Sequence, residues 1–473
     1  FNYSVLTTTC QSSSAFVTSL SVLMKVDTYL PMLPIVLLLS SAATAAGLSD
    51  HPLLLMVSFD GFRHDYFTKV PTPNFDKFKT SGVYIPEMWN VFVTQTFPNH
   101  FSMVTGRYVE DHGVVGASAY DPLFDRKLTF NSPEMFNYEE SVMPLWSLNE
   151  KMGKGRHSGT MMWVGGEHEI HGINNTYSVK LNKSMNFQTR LDTVLKWFTR
   201  EDNPANLVFL YYNEPDSTGH EYGPDSAEMN EAVTLIDQDV GYLIETVKKL
   251  NLSEKLNIIL TSDHGMAPLN PNYIMVDDLV DRSKVELFGS SPLLQLRVLN
   301  ESETPAMYES LKKKSLGGHF KVYYKEELPE EWHFKKNRRI QKILLLADLG
   351  YDFNMDKNWK PKGNHGYDNA VSQMHGFFMG SGPRFNKDFV LQGNFSNLDI
   401  YPLACKLLSL DPYPHNGTIR NALLLLRMDD SSLALDVWII VLIVLSVLLT
   451  ILISTYLYKK SRKQRVETFN STP

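Results

Sequence analysis

The chain is poor in cysteine: its 473 residues include two, Cys10 and Cys405. Cys10 lies in an N-terminal segment expected to be removed, so Cys405 has no partner and no disulfide can staple the mature chain. Stability must then come from burial of apolar surface. Excess positive charge is also missing. A formal net charge of -7 excludes a basic nucleic-acid-binding face, so no nucleic-acid polymer is expected as a partner. Internal repeats and long low-complexity linkers are absent, which excludes solenoids and disordered tethers. Hydrophobic residues at 43% and charged residues at 21% are ordinary for a globular protein.

Two apolar segments lie outside the expected globular part. "YLPMLPIVLLLSSAATAAG" follows Met24-Lys25 and ends in small residues with an Ala-x-Ala site at Ala43-Thr44-Ala45, which reads as a cleaved secretory signal over residues 24–45. Residues 1–23 precede its basic start and are expected to be upstream sequence. The second segment, Val437 to Tyr458, runs 22 residues without a charge and is followed at once by "KKSRKQR". That length spans a bilayer, and the basic flank places the tail, residues 459–473, in the cytoplasm. Residues 46–430 are then expected outside the cell, as the N-terminal domain of a single-pass type I membrane protein. Sequons at Asn174, Asn182, Asn251, Asn300, Asn394 and Asn416 fit that location and predict N-glycans.

Three apolar runs end in acids: "LLLMVSFDG" at Asp60, "NLVFLYYNEPD" at Asp216 and "NIILTSDHG" at Asp263. Runs without in/out alternation predict strands covered on both faces, as in a largely parallel sheet with helices on either side. Between the second and third, "DSAE" from Asp225 reads as a helix start. Met229, Val233, Ile236, Val240, Leu243, Val247 and Leu250 then recur at threes and fours. Strand, helix, strand with right-handed crossovers predicts an α/β fold with all three strand ends at one sheet edge, where open α/β sheets bind ligands. The triplet Lys312 to Lys314 reads as a solvated helix face.

At those edges collect Asp60, Asp216 with His220 four residues on, Asp263 with His264, and His365 in "GNHGYDN". Three acids and three imidazoles mix oxygen and nitrogen ligands in a way that suits zinc better than magnesium or calcium. "VTQTFPNH" offers a hydroxyl nucleophile at Thr96, with Thr94 nearby, and a divalent cation can stabilise such an alkoxide at neutral pH.

The motifs "SFDGFR", "TFPNHFSMVTG", "EPDSTGHEYGP", "LTSDHGM", "GNHGYDN" and "PHNGT", in that order over about residues 51–426, closely resemble the ectonucleotide pyrophosphatase/phosphodiesterase family within the alkaline phosphatase superfamily. In type the chain is most similar to the short membrane-anchored members 4, 5 and 7. The resemblance implies an alkaline-phosphatase-like α/β sandwich and two zinc ions per chain. One would be held by Asp60, Thr96, Asp263 and His264, the other by Asp216, His220 and His365. It further implies in-line attack of Thr96 on a phosphodiester or pyrophosphate and a phospho-threonine that water hydrolyses.

The chain departs from the family pattern at several positions. Ala117 stands where the family carries an Asn that donates to a phosphoryl oxygen, and Gln95 where a lysine precedes the nucleophile. The nucleobase sandwich implied by the family uses Phe97 and a Tyr, whose place Leu181 takes. Substrates expected on these grounds are nucleotides or phosphocholine lipids. The alternative reading is a surface binding or adhesion protein on a hydrolase scaffold with weak or no catalysis. His168 and His171 in "EHEIH" are expected at a loop or pocket rim, and His375 in a supporting rather than a ligating position.

Overall fold

The computed structural model describes residues 47–355, 359–427 and 430–470, so the expected upstream segment and the whole of the expected signal lie outside the described residues. The main sheet has eight strands: β1 Leu53–Phe59, β2 Gly82–Met88, β3 Ser158–Met161, β4 Tyr177–Val179, β5 Leu207–Tyr212, β6 Leu256–Thr261, β7 Gly376–Ser381 and β8 Phe389–Val390. Their order across the sheet is β8-β2-β7-β6-β1-β5-β3-β4. All pairings are parallel except those of β7, which runs antiparallel to both neighbours. The three apolar runs form β5, β1 and β6 side by side at the centre, with every residue of β1 and β6 buried.

Four helices matter for the site or its attachment: α1 Thr96–Thr105, α2 Asp216–Tyr222, α3 Ala227–Lys249 and α4 Asp430–Asn470. The helix expected between β5 and β6 is α3. It buries Met229, Val233, Ile236, Val240, Leu243 and Val247, whereas Leu250 falls past its end and is exposed. Its cap is Ser226, whose side chain accepts from the Met229 N–H at 3.0 Å, while Asp225 instead pairs with Arg63 and Lys69. The triplet Lys312 to Lys314 is exposed on the helix Thr304–Ser315.

One buried residue of α3 serves another helix. Asp237 Oδ1 accepts from the Asn74 and Phe75 N–H groups at 3.0 and 2.9 Å, capping Pro73–Ser81, whose own N-cap Thr72 makes no side-chain cap bond. An acid in the middle of α3 lies outside its apolar periodicity, and the helix that needs it is more than 160 residues away in the chain.

Sequence periodicity also missed a second sheet. Val285–Ser290, Leu293–Val298, Ile343–Ala347 and Phe320–Tyr324 pair antiparallel in that order, over a separate small core that includes Leu294, Leu311, Phe320 and Ile343. Its first hairpin, around Gly289 to Ser291, reaches a cavity beyond the carboxyl ends of the main sheet.

Among the described residues one helix is long and apolar enough to cross a membrane. It is α4, over Trp438–Lys463, 26 residues containing an 18-residue stretch of mean hydropathy 2.8, which carries the expected apolar segment into the basic cluster without a break.

Replacing Asp237 with Ala should strip two first-turn amides of their acceptor. We expect a loss of about 1–3 kcal/mol in urea unfolding, with Asp237→Asn losing less. Equal stability of wild type and Asp237→Ala would remove this cap from the account of the fold.

Candidate active site

Strand register brings the acids together. Phe59 pairs with Tyr212 and Ser58 with Thr261, so β1, β5 and β6 end level. Backbone bonds continue past the strands: the Asp60 N–H donates to the Tyr212 carbonyl and the Asp216 N–H to the Asp60 carbonyl, both at 2.9 Å. Gly61 sits between them at φ +66°, where a Cβ would come within 2.9 Å of the Asp216 side chain. The glycine of "FDG" is therefore required by close approach.

The result is a dense cluster. Asp60, Asp216 and His264 form one group whose ligand atoms lie within 4.8 Å of one another, and Asp216, His220 and His365 form a second on the same criterion. His264 Nε2 lies 3.2 Å from Asp60 Oδ1 and 3.1 Å from Asp263 Oδ2, while His220 and His365 each place Nε2 3.4 Å from Asp216 Oδ1. Thr96 Oγ1 is 3.2 Å from His264 Nε2. All seven residues expected around the metal sites thus meet in one place, and Asp216 joins the two groups.

Two features of this cluster fit a cation. Asp60 Oδ1, Asp216 Oδ1 and Asp263 Oδ2 are buried and have no hydrogen-bond donor in the chain. Each imidazole also has Nδ1 occupied by a backbone carbonyl: His264 by Gly265 at 2.9 Å, His220 by Gly363 at 2.9 Å and His365 by Thr94 at 3.0 Å. Since a carbonyl only accepts, Nδ1 carries a proton in each ring, which leaves Nε2 as the nitrogen that a cation could take once the ring is neutral.

In the metal-free chain the same groups share protons and charge among themselves. Burial, then the nearby charges of Asp263 and Asp216, push the Asp60 carboxyl up to about 7. Burial alone would raise Asp216 and Asp263 as well, but His220 beside the first and His264 beside the second hold them below the usual carboxylate range. His264 is raised against the effect of its burial by Asp263. His365 is stacked on His264 at 3.5 Å, and burial together with that neighbour's charge lowers it to about 3.

Thr96 is the first residue of α1, after an extended Gln95, and the first intrahelical bond is Asn99 N–H to the Gln95 carbonyl at 3.2 Å. The amides of Thr96 and Phe97 have no intrahelical acceptor, and Pro98 occupies a position where a missing N–H costs nothing. Thr94 does different work. Its hydroxyl donates to the Tyr367 carbonyl at 2.9 Å and accepts from the Gly366 N–H at 3.1 Å, fixing the loop that carries His365.

Several neighbours escaped sequence reasoning. His100, one turn after Thr96, directs Nδ1 at the Thr96 carbonyl (2.9 Å) and at Asp263 Oδ2 (3.2 Å), and its Nε2 meets Ser58 Oγ at 2.9 Å. The Tyr211 hydroxyl donates to Asp60 Oδ2. The i, i+4 spacing of Thr96 and His100 was a readable signal; nothing in the sequence paired Tyr211 with Asp60.

Two cavities share Thr96, Phe97 and Asp216. One, of about 320 Å³, is mainly apolar and includes Phe130, Phe136, Met162 and Leu181, with Glu167 and Lys183 in its wall. The other, of about 620 Å³, includes Gln95, Ala117, His220, Ser291, Asp352 and His365. Leu181 and Phe97 line the same cavity, and a second aromatic surface there comes from Phe130, whose ring lies 5.7 Å from that of Phe97. Gln95 donates from Nε2 to the Ser290 carbonyl at 2.9 Å. His168 Nε2 donates to the Phe130 carbonyl at 2.8 Å and His171 Nε2 to that of Val142 at 3.0 Å, so both rings are held by backbone. His375 bridges Glu87 Oε1 and the Asn369 carbonyl, both at 2.8 Å, away from the cluster.

Acids and imidazoles gathered at the carboxyl edge of an α/β sheet make a site that could hold a metal ion, the arrangement expected of a metallohydrolase. Residues 54–368 match the family model for type I phosphodiesterase / nucleotide pyrophosphatase. Ectonucleotide pyrophosphatase/phosphodiesterase family member 5 of Homo sapiens is 38% identical over 387 residues, covering 81% of this chain and 80% of that protein. The bis(5'-adenosyl)-triphosphatase enpp4 of Xenopus laevis is 38% identical over 381 residues, covering 80% and 82%. Among solved structures, human member 5 superposes with a TM-score of 0.75 at 38% identity, over 80% of this chain and 100% of that one. Murine member 5, as an inactive Thr-to-Ala variant in complex with AMP, superposes with a TM-score of 0.74 at 38% identity, over 80% and 100%. The chain belongs to the type I phosphodiesterase / nucleotide pyrophosphatase family and is a hydrolase of that kind.

Thr94→Val keeps shape but leaves the Gly366 N–H and Tyr367 carbonyl without their partner. Loosening the His365 loop should weaken metal retention by about 10–100-fold, read by competition with a chelator. Unchanged retention would mean that the loop is held by other contacts.

Proposed function

We propose that this chain is a two-zinc ectoenzyme that cleaves phosphodiester or pyrophosphate bonds in nucleotide-type substrates, with Thr96 as the nucleophile. The observation that carries this reading is Thr96 Oγ1 at 3.2 Å from His264 Nε2, where the two Asp/His groups adjoin. Asp60, Thr96, Asp263 and His264 would hold one zinc, and Asp216, His220 and His365 the other. When bound, paired zinc ions stabilise an alkoxide or hydroxide at neutral pH and neutralise charge on the phosphoryl oxygens.

The chain supplies position. Thr96 Oγ attacks phosphorus, the bond to the leaving oxygen breaks, and that oxygen takes up a proton. Water then attacks the phospho-threonine, freeing phosphate monoester and restoring the Thr96 hydroxyl. The open amides at the start of α1 and the helix dipole favour negative charge beside Thr96. His100 holds the Thr96 carbonyl through Nδ1, with Asp263 Oδ2 only 3.2 Å from the same nitrogen, so nucleophile and ligand stay close. The slot of Phe97, Phe130 and Leu181 has the apolar faces against which a nucleobase stacks. The triphosphatase name of one relative and the AMP bound to an inactive Thr-to-Ala variant of another support both the substrate class and the role of Thr96.

We place the hydrolase domain outside the cell, as a type I protein anchored by α4, since the apolar span is followed by the basic cluster and preceded by an expected signal. Phosphocholine lipids are the competing substrates. A second reading, binding with little turnover, is favoured by Ala117, which lines the cavity beside Thr96 without a donor.

The test is turnover of p-nitrophenyl-thymidine monophosphate against p-nitrophenylphosphocholine, with zinc content measured on the same sample. We expect a pair of zinc ions per chain, preference for the nucleotide ester, and loss of turnover in Thr96→Ala. Full zinc with no turnover of either compound would overturn the enzymatic reading in favour of binding. Ala117→Asn should raise turnover, by up to about 10²-fold if the side chain restores a full transition-state donor; no gain would assign that work to the helix amides.

A further inference from the structure

A separate cleft of about 380 Å³, lined by none of the Asp, His and Thr residues of the metal cluster, lies between the segment after β2 and the C-terminal part of the domain. Its wall carries an exposed indole, Trp89, beside Tyr108, the carboxylate of Glu331 and the amides of Asn369 and Asn421. One face of Trp89 is covered by His375 at 4.7 Å, yet the residue remains 42% exposed, leaving an apolar surface among polar groups. Such a lining suits neither a nucleobase phosphate, for which it has no cation, nor an apolar ligand. It suits a sugar, whose C–H face packs on an aromatic ring while its hydroxyls bond to planar amides and carboxylates.

Two acceptor asparagines, Asn394 and Asn416, form part of the same wall. Asn416 is the better placed. Its backbone N–H donates to the Gly106 carbonyl at 2.7 Å and its Oδ1 accepts from the Tyr108 N–H at 3.3 Å, so the side chain is oriented. Nδ2, the atom that carries the sugar in an N-glycan, is left for the cleft.

We propose that this cleft seats the inner sugars of an N-glycan on Asn416, stacked against Trp89, so that the glycan is a packed part of the domain. The proposal rests on the extracellular placement above and deepens none of the catalytic reading. It makes the sugar a tie between the loop of Asn416 and the segment of Trp89, two parts of the chain more than 300 residues apart.

The test uses the full-length chain expressed in glycosylating cells, with native-state release by peptide-N-glycosidase followed site by site in glycopeptides. The Asn416 sugar should be released at least tenfold more slowly than the glycans at other occupied sequons. Trp89→Ala should remove that protection, Trp89→Phe should keep part of it, and Asn394→Gln should leave it intact. Nucleotide-ester turnover, unchanged in these variants, reports that the fold is preserved. Asn416 bare while other sequons are occupied, or released as fast as they are, or protected equally without Trp89, overturns the proposal. A chain bare at every sequon overturns it together with the extracellular placement, and so separates the two failures.

Discussion

Three carboxylates that meet inside a protein set the constraint on which this structure depends. Asp60, Asp216 and Asp263 each leave one buried oxygen without a donor, and like charges so arranged repel in a medium that screens them poorly. Flexible loops would relax such an arrangement by swinging the acids into water. Here the acids follow β1, β5 and β6, which are buried along their length, paired in register and continued by backbone bonds from Asp60 to Tyr212 and Asp216. The burial that stabilises the central strands therefore also holds the repulsion in place. Tyr211 on Asp60 and Gly61 on Asp263 each satisfy the second oxygen, which fixes the direction of the first.

The imidazoles follow the same logic with opposite polarity. Each is turned by a carbonyl at Nδ1, and none of the three carbonyls belongs to a side chain. Backbone acceptors cannot rotate away, so the tautomer is set by the path of the main chain. For His365 that path depends on Thr94, two residues before Thr96, so the loop bearing one group and the turn bearing Thr96 are one mechanical unit.

How much of this was legible in sequence follows from the range of the interactions. β1, β5, β6 and α3 were readable because unbroken apolar runs and a 3.6-residue period are local signals, and the acids and histidines sit directly at the ends of those runs. Thr94, His100 and Tyr211 were not assigned roles, because their partners come from distant segments and each residue alone is ordinary. Asp237 illustrates the same limit, as a charge on a buried helix face whose reason lies in Pro73–Ser81. The smaller sheet escaped because its strands are short and its hairpins carry a mixed apolar and polar pattern, as in "LLQLRV". The Leu181 substitution was visible, but the ring of Phe130 beside Phe97 required a hairpin, Ser118–Asp121 with Arg126–Thr129, to return the chain to the pocket.

That hairpin and the smaller sheet together explain why the site has two sides. Ala117 enters the hairpin from the larger cavity and Phe130 leaves it into the apolar one, so the two walls are successive parts of a single segment. Gln95 ties the turn before Thr96 to the smaller sheet by donating an amide hydrogen to the Ser290 carbonyl. A monoester presents one substituent to its phosphorus, and one cavity would serve it. A diester presents two, and Thr96 lies where the two cavities meet, with Asp216 and Phe97 common to both. Two cavities meeting at one residue thus match the two substituents of the phosphodiesters for which the family is named.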